Sequence, residues 1–177
     1  NSGTITNLNL IMTGLRASGD RTIVDAGSGI RDFTLNDTTN SGNNVHKLGG
    51  NLSISGTLTI TSGTLDTQFS STDRNLTVTG TVTLGAGDLL LNGSAVTIGG
   101  FSVTGDGEMT GTTHANGLIV LGNWRSAGSR FNNADGKVVF KGSSGGTIAM
   151  NGAGSTGQGF YDVEINIAGQ TYTVSEW

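Results

Sequence analysis

The stretch that decides the fold is NLSISGTLTITSGTLDT at residues 51–67, which reappears as NLTVTGTVTLGAGDLLL at residues 75–91. The two copies are offset by 24 residues. A third, weaker copy, GFSVTGDGEMTG, begins at Gly100. Self-similarity with a period of ~20–50 residues is typical of a solenoid, in which each repeat forms one turn of a stack.

Within each copy, apolar residues alternate with polar ones. They stand at even positions in both copies: Leu52, Ile54, Leu58 and Ile60 in the first, and Leu76, Val78, Val82 and Leu84 in the second. This period of two predicts β-strands that bury one face. Gly56 and Gly80 fall in the same apolar row. We expect the chain to bend there, with no room for a side chain.

The alternation changes phase at Ser62-Gly63 in the first copy and at residues 85–87 in the second. Each change predicts a corner. Two strands separated by a bend, then a corner and a third short strand, describe one turn of a parallel β-helix whose turns stack at ~4.8 Å. We therefore predict an all-β, right-handed parallel β-helix (β-solenoid) of roughly seven turns, with residues 1–177 as a single domain. The hand follows the general rule for parallel crossover connections. An antiparallel sandwich is the main alternative, but it predicts tight hairpins and no repeat of this length.

Composition excludes several classes of function. Only 12% of the residues are charged, against ~25% in an average domain, so Thr, Ser, Asn and Gly must cover the surface. The net charge of −4 is scattered without a basic stripe, and we expect no nucleic-acid partner. No apolar run reaches the ~18–20 residues of a membrane span. The absence of cysteine excludes a disulfide framework and a cysteine nucleophile, and it is compatible with secretion.

A second pattern, LGNWRSAGSRFNNADGKVVFKGSSGGTIAMNGAGSTGQGFYDVEIN, occupies residues 121–166, about a quarter of the chain. It resembles the repeat of large bacterial surface and secreted β-solenoid proteins, in which a GNW element is followed by strands of the types sGtF, GtVvFnGs, tIsG and FynLtIN. The matching segments are residues 122–124, 128–131, 136–143, 147–152 and 160–166. The resemblance implies an extracellular stalk, adhesin or matrix component. It implies no catalytic residues, because the motif consists of core and corner positions.

Two glycine-rich strings match catalytic or cofactor motifs only formally. GAGSTG at residues 152–157 fits the dinucleotide fingerprint, but that fingerprint requires a helix to begin there, and a strand is predicted instead. GSSGG at residues 142–146 places Ser144 as a nucleophile, again without a following helix or an assignable His–acid pair. We expect no bound cofactor, with Ca²⁺ at surface Asp/Asn corners as an incidental possibility.

Carboxylates are the remaining candidates for catalysis, because parallel β-helices include polysaccharide lyases and hydrolases with acids clustered on one face. Asp106 and Glu108 share parity and form the best pair, although flanking glycines predict a turn in which both are merely solvated. The others are Asp20, Asp25 and Asp32. We therefore predict that the chain is not an enzyme and keep a polysaccharide-degrading activity as the third interpretation.

Metal and sugar sites have little support in the sequence. His46 and His114 stand alone, and a metal site needs three or four converging ligands. Sugar stacking could involve Trp124, Trp177, Tyr161 and Tyr172, although Trp124 lies within the structural motif. Polar stretches at residues 37–44 and 106–117 are predicted to leave the stack as loops. A carbohydrate-binding adhesin, with specificity in the loops near Asn40 and His114, is therefore the second interpretation.

The first interpretation is mechanical. The chain ends on TYTVSEW at residues 171–177, which predicts a strand without a polar cap after it, and a solenoid needs such caps. We predict that the chain is a fragment of a longer solenoid, or that its end stacks head-to-tail on another copy. The predicted interface residues are Ile5, Leu8, Leu10, Tyr172, Val174 and Trp177. The protein would then be an extracellular rod that forms or joins a surface fibre, stalk or matrix.

Overall fold

A computed structural model describes residues 7–14, 21–23, 29–39, 44–127, 130–151 and 159–175. The described chain is almost entirely strand and turn. Its strands are β1 Leu8–Thr13, β2 Arg21–Ile23, β3 Ile30–Asn36, β4 Val45–Leu48, β5 Leu52–Ile54, β6 Leu58–Ser62, β7 Thr64–Asp66, β8 Gln68–Phe69, β9 Thr72–Asp73, β10 Leu76–Leu84, β11 Asp88–Leu90, β12 Val96–Val103, β13 Met109–Thr110, β14 Leu118–Val120, β15 Trp124–Ala127, β16 Phe131–Asn132, β17 Lys137–Phe140, β18 Gly146–Asn151, β19 Asp162–Ile165 and β20 Tyr172–Ser175.

These strands form two parallel sheets and one small hairpin. The long sheet follows the order β1-β3-β5-β10-β12-β14-β17-β19, with β6, β15, β18 and β20 continuing its turns. The second sheet has six strands in the order β16-β13-β11-β7-β4-β2. Only the β8–β9 hairpin is antiparallel among the described pairs. The predicted β-solenoid is therefore confirmed; its hand stays a prediction.

The length of a turn varies around the predicted repeat. Leu52 pairs with Leu76, 24 residues later, whereas Val82 pairs with Phe101 across 19 residues and Gly146 with Tyr172 across 26. About six turns are present, one for each strand of the second sheet, and not the roughly seven predicted. The long sheet has eight layers, two more than the second sheet. The layers of β1 and β19 include no strand of the second sheet within the described residues.

The core consists of side chains stacked in columns, one from each turn. Column one contains Leu8, Ile30, Ile54, Val78, Ile98, Val120, Phe140 and Ile165. Column two contains Leu10, Phe33, Leu58, Val82, Phe101, Trp124, Ile148 and Val174. Column three, from the second sheet, contains His46, Leu65, Leu89, Met109 and Phe131. Register shifts occur between Leu8 and Asn9, between Val78 and Thr81, and between Leu35 and Asn36, but the pairing on either side of each shift still places one column residue above another.

Glycines form the bend between the two runs of the long sheet, as predicted. Gly80 N donates a hydrogen bond to Gly56 O at 2.8 Å, so the bends of successive turns lie backbone on backbone. A Cβ on Gly80 would stand 2.5 Å from Gly56 O, and a Cβ on Gly122 would stand 2.5 Å from Gly99 O. Such distances leave no room for a side chain, which explains why glycine recurs once per turn.

The predicted loop at residues 106–117 is wrong for part of its length. It contains β13, whose Met109 is fully buried in column three, and Thr112 is also buried. The sequence of this segment predicts a loop because Met109 is its only large apolar residue. One inward side chain is enough in the second sheet, because its strands are only two to four residues long and bury alternate positions.

Candidate functional site

The C-terminal end of the solenoid exposes its core. Ile165 and Val174 are the last members of columns one and two, and their exposed fractions are 52% and 72%. Their neighbours in the preceding turn, Phe140 and Ile148, are buried. Val163 is likewise exposed above buried Val138. Within the described residues, no further turn covers these side chains.

The N-terminal end repeats this arrangement. Leu8 is 37% exposed, while Leu10 and Met12 are partly buried against the core. Ile11, 66% exposed, pairs with Thr34 and belongs to the outer face of the sheet. The next residues of columns one and two are Ile30, which is partly buried, and Phe33, which is completely buried. The two ends therefore present matched apolar surfaces. The other two predicted interface residues, Ile5 and Trp177, lie outside the described residues.

Both ends also present strand edges. Within the described residues, β1 pairs only with β3, β19 only with β17, and β20 only with β18. An edge strand offers unpaired N–H and C=O groups to any incoming strand. Tyr172 is buried against Phe140, with ring centroids 5.1 Å apart, so β20 is anchored while its outer edge stays open. Chemically, each end can accept a parallel strand.

Charge at the C-terminal end is balanced. Lys137 Nζ lies 2.7 Å from Glu164 Oε2, and Asn166 donates a hydrogen bond to Glu164 Oε1 at 2.8 Å. The bond from Lys137 lowers the pKa of Glu164, and the same bond raises the pKa of Lys137. Near neutral pH the pair carries no net charge, so a stacking copy meets little electrostatic repulsion there.

A buried polar cluster lies near the N-terminal end, where the prediction that His46 stands alone is wrong. His46 Nε2 is 2.9 Å from Asp37 Oδ2, and both side chains are fully buried. Thr39 and Asn44 also donate hydrogen bonds to the Asp37 carboxylate. Burial would raise the pKa of Asp37, but the hydrogen bonds from Thr39, His46 and Asn44 outweigh it and lower the pKa to about 2. Asp37 therefore accepts as a carboxylate, and His46 Nε2 carries the proton.

This cluster holds a corner together. Ser62 Oγ donates to Asp37 O at 3.0 Å, and Thr64 N donates to Asn44 O at 3.0 Å, which ties the start and end of the 37–44 stretch to the next turn. His46 Nδ1 has no hydrogen-bond partner among the described residues. Asn40 lies outside those residues. No sequence motif indicates this cluster, because Asp37 and His46 are nine residues apart.

Two of the carboxylates considered for catalysis, Asp106 and Asp32, accept hydrogen bonds from the neighbouring turn. The guanidinium of Arg130, in the next turn, donates two hydrogen bonds to Asp106. One goes to the backbone oxygen of Asp106 at 2.7 Å and the other to its carboxylate at 2.5 Å. The backbone N–H of Glu108 donates a hydrogen bond to Asp88 Oδ1 at 2.8 Å, whereas its carboxylate makes no hydrogen bond within the described residues. Asp32 accepts from Thr57 N at 2.9 Å, and this bond lowers its pKa. Asp20 and Asp25 lie outside the described residues.

No group of three or more His, Asp or Glu side chains in the described part of the chain is placed to hold a metal ion. His114 is half-buried in a turn, where its Nδ1 accepts a hydrogen bond from Asn116 N at 3.1 Å. Ser144 is exposed in the turn before β18. The segment that follows GSSGG is this strand, so the prediction that no helix follows is confirmed. GAGSTG lies outside the described residues.

The aromatic candidates for sugar stacking are mostly core residues. Trp124 is completely buried and contacts Phe101, Phe131 and Phe160, with ring centroids 4.5, 4.9 and 5.2 Å apart. Tyr172 is buried as well. Of the four aromatics considered, Tyr161 is exposed at 68%, and Trp177 lies outside the described residues. The interpretation of Trp124 as a packing residue is confirmed.

The outer face of the long sheet carries rows of hydroxyls. Ser53, Thr77 and Thr97 are adjacent in three successive turns, as are Thr59, Thr83 and Ser102. Strands β5, β6, β10 and β12 contain no charged residue. The hydroxyls of these six residues make no hydrogen bond to the protein within the described chain. This surface, which we call the hydroxyl face, leads on to Arg125, which lines a groove of about 310 Å³.

Comparison with protein families, with curated proteins and with solved structures found no match. Within the described residues, no helix has both the length and the apolar character needed to cross a membrane.

Proposed function

We propose that this chain is an extracellular structural protein, a stiff β-solenoid rod that forms or joins a surface fibre, stalk or matrix by end-to-end strand stacking. The observation that carries the proposal is the continuity of columns one and two. Each contains one residue from every layer of the long sheet and ends in Leu8 or Leu10 at one end and in Ile165 or Val174 at the other. A surface of this kind is complementary to another turn of the same solenoid.

The energetics favour stacking that depends on concentration. Covering one Val, Leu or Ile side chain completely contributes ~1.5–3 kcal/mol, and each new backbone hydrogen bond contributes ~0.5–1.5 kcal/mol net. Association costs an estimated ~4–15 kcal/mol in lost translational and rotational freedom. The favourable free energy from three or four apolar side chains and a short ladder of hydrogen bonds is of the same size as the free-energy cost of association. Assembly should therefore respond strongly to protein concentration.

The location at a cell surface, and the bacterial origin, rest on the resemblance of residues 121–166 to bacterial surface solenoids. The low charge and the hydroxyl-rich exterior support the same proposal, because such a surface avoids strong nonspecific attraction to nucleic acid and to membranes.

Negative-stain electron microscopy of the purified chain over a concentration series tests the proposal. We expect unbranched fibres of uniform width that lengthen with concentration. Val174→Lys should shorten or abolish them, because it places a charge in the junction core. Thr173→Lys is the matched control, since Thr173 is the adjacent residue on the opposite face of the strand and should leave fibres intact. Discrete short rods at every concentration would contradict end-to-end stacking.

Binding of a neutral polysaccharide is the second candidate function, and the hydroxyl face favours it. Its unbonded hydroxyls repeat at the ~4.8 Å spacing of the turns and carry no charge, which suits an extended, uncharged and repetitive sugar chain. Sedimentation with insoluble cellulose and chitin is the test. A Thr59→Asp/Thr83→Asp double variant should lose binding, while Thr72→Asp, on the exposed β8–β9 hairpin, should retain it. Equal behaviour of the two variants, or no binding at all, argues against this function.

A further inference from the structure

We propose that the C-terminal end of one copy stacks on the N-terminal end of the next in a single register, with Ile165 beside Leu8 and Val174 beside Leu10. This inference rests on the proposed end-to-end assembly and specifies its geometry. Columns one and two would then continue across the junction without interruption, and the rod would be polar, with every copy oriented in the same direction.

The register follows from the parity of the strands. Val174 pairs with Ile148, and Leu10 pairs with Phe33. Ile148 and Phe33 are buried members of column two. A slip of one residue would replace Val174 by Thr173 at the core position, because successive strand residues point to opposite faces. Thr173 pairs with Thr147, which is exposed, so the whole row to which it belongs faces outward. Burying that hydroxyl without a partner is unfavourable.

The two ends differ in the sequence spacing of their core residues, and the same difference occurs between two stacked turns inside the rod. Leu8 and Leu10 stand two residues apart, whereas Ile165 and Val174 stand nine apart, with a loop at 166–171 between them. The same kind of mismatch occurs inside the rod. Phe140 and Ile148 are separated by a loop, yet they stack in register on Val120 and Trp124, which are separated by only three residues. A loop between two runs therefore does not disturb the columns.

A junction of two C-terminal ends is the main competing arrangement. A two-fold axis between them would place β20 antiparallel to its own copy. Every described pair in the long sheet is parallel, so a parallel junction continues the pairing of the sheet, whereas an antiparallel one would break it. Such a junction would also leave both N-terminal ends, with Leu8, exposed. Head-to-tail stacking covers both kinds of end.

Cysteine cross-linking tests the register, because the chain contains no cysteine. Neighbours in a column lie ~4.8 Å apart, within the ~4.4–6.8 Å between Cα atoms that a disulfide requires. We expect the Leu10→Cys/Val174→Cys variant to give a ladder of covalent multimers on a non-reducing gel after mild oxidation. A disulfide within one copy is excluded, because seven layer spacings separate the two positions by about 34 Å.

Four controls make the result decisive. Leu10→Cys/Thr173→Cys moves one thiol to the opposite face and should give no ladder. Leu10→Cys alone and Val174→Cys alone should each remain monomeric, while Leu8→Cys/Ile165→Cys should repeat the ladder through column one. Circular dichroism spectra like that of the unsubstituted chain show that each variant is folded.

Each alternative gives its own result. Covalent dimers of Val174→Cys alone would overturn the polar arrangement in favour of paired C-terminal ends. Fibres in the microscope without a ladder from either in-register variant would overturn the register but leave end-to-end assembly standing. The absence of both fibres and cross-links would contradict the assembly itself.

Discussion

The middle turns and the C-terminal turns use the same columns to hold different cores. In the middle turns, β6 and β10 contribute Leu58 and Val82 to column two, and the bend between runs is a short glycine turn. In the C-terminal turns, Trp124 occupies that column, and a longer loop separates β17 from β18. The comparison shows that register, and not side-chain size, is the constant of this fold.

The N-terminal turns vary the same plan in another way. Column three begins with His46, continues through two leucines, and ends with Met109 and Phe131. The polar member at its start is tolerated because Asp37 accepts its N–H. A buried polar group therefore stands where the middle turns place a leucine.

The largest expected effect is at Trp124. Trp124→Ala should lower the free energy of unfolding by about 3–5 kcal/mol, because it removes the ring that contacts Phe101, Phe131 and Phe160. Val82→Ala, in the same column of a middle turn, should cost about 2 kcal/mol. Urea unfolding followed by circular dichroism measures both. Equal losses would mean that the aromatic cluster adds nothing beyond its position in the column.

The bend of the middle turns gives the next effect. Gly80→Ala should destabilise by about 1–3 kcal/mol, because its Cβ would meet the backbone oxygen of Gly56, which cannot move without disturbing the neighbouring turn. Gly85→Ala is the matched variant in the same turn, since its Cβ would approach nothing closer than 3.3 Å. If thermal unfolding shows no difference between them, the backbone contact at the bend does not limit the sequence.

Acid should reveal the polar cluster of the N-terminal turns. Asp37 has a folded-state pKa of about 2, below its ordinary value of 3.8, so its contribution to stability is complete above pH 3.8 and is lost as the pH falls toward 2. Asp37→Asn should lower stability at pH 6 by about 1–3 kcal/mol, because buried partners lose their acceptor. It should also flatten the fall in urea midpoint between pH 4 and pH 2. A variant with the unsubstituted protein's slope would contradict the assignment.

The smallest effects should separate used hydroxyls from unused ones. Thr67 is buried and bonds to Leu91 O at 2.8 Å and to Ser94 Oγ at 2.7 Å, so Thr67→Val should cost about 1–2 kcal/mol. Thr77→Val, on the hydroxyl face, should change stability by less than about 0.5 kcal/mol, because the Thr77 hydroxyl makes no hydrogen bond to any described residue. Similar losses at both positions would mean that the hydroxyl face serves folding and is not free for a ligand.

Much of the fold could be predicted because strand parity and the repeat are local properties of the chain. Leu52, Ile54, Leu58 and Ile60 specify two inward-facing runs, and the copy at residues 75–91 specifies the next turn above them. The strands at Leu8–Leu10 and Tyr172–Val174 were also predicted correctly, although their role as an interface stays a prediction. Isolated apolar residues were harder to interpret, as Met109 shows.

The candidate sites were less accessible to sequence reasoning, because their partners come from different turns. Arg130 reaches Asp106 across 24 residues, and Thr67 reaches Ser94 across 27. No motif marks such pairs, because the turn length varies between 19 and 26 residues and the residue that lies above another cannot be read from a fixed spacing. His46 and Asp37 are closer in the chain, but the corner that brings them together has no distinctive pattern.

The sequence by itself therefore determined the class of fold, the repeat, the bends and the alternation of buried and exposed positions, because each depends on side chains a few residues apart or on a regular period. Only the tertiary structure decided which side chains become neighbours across turns. It placed Trp124 in an aromatic cluster, paired His46 with Asp37, and left Ile165 and Val174 uncovered at the end of their columns. The physical reason is that contacts between turns depend on the exact length of every turn, and that length is set by packing of the whole stack.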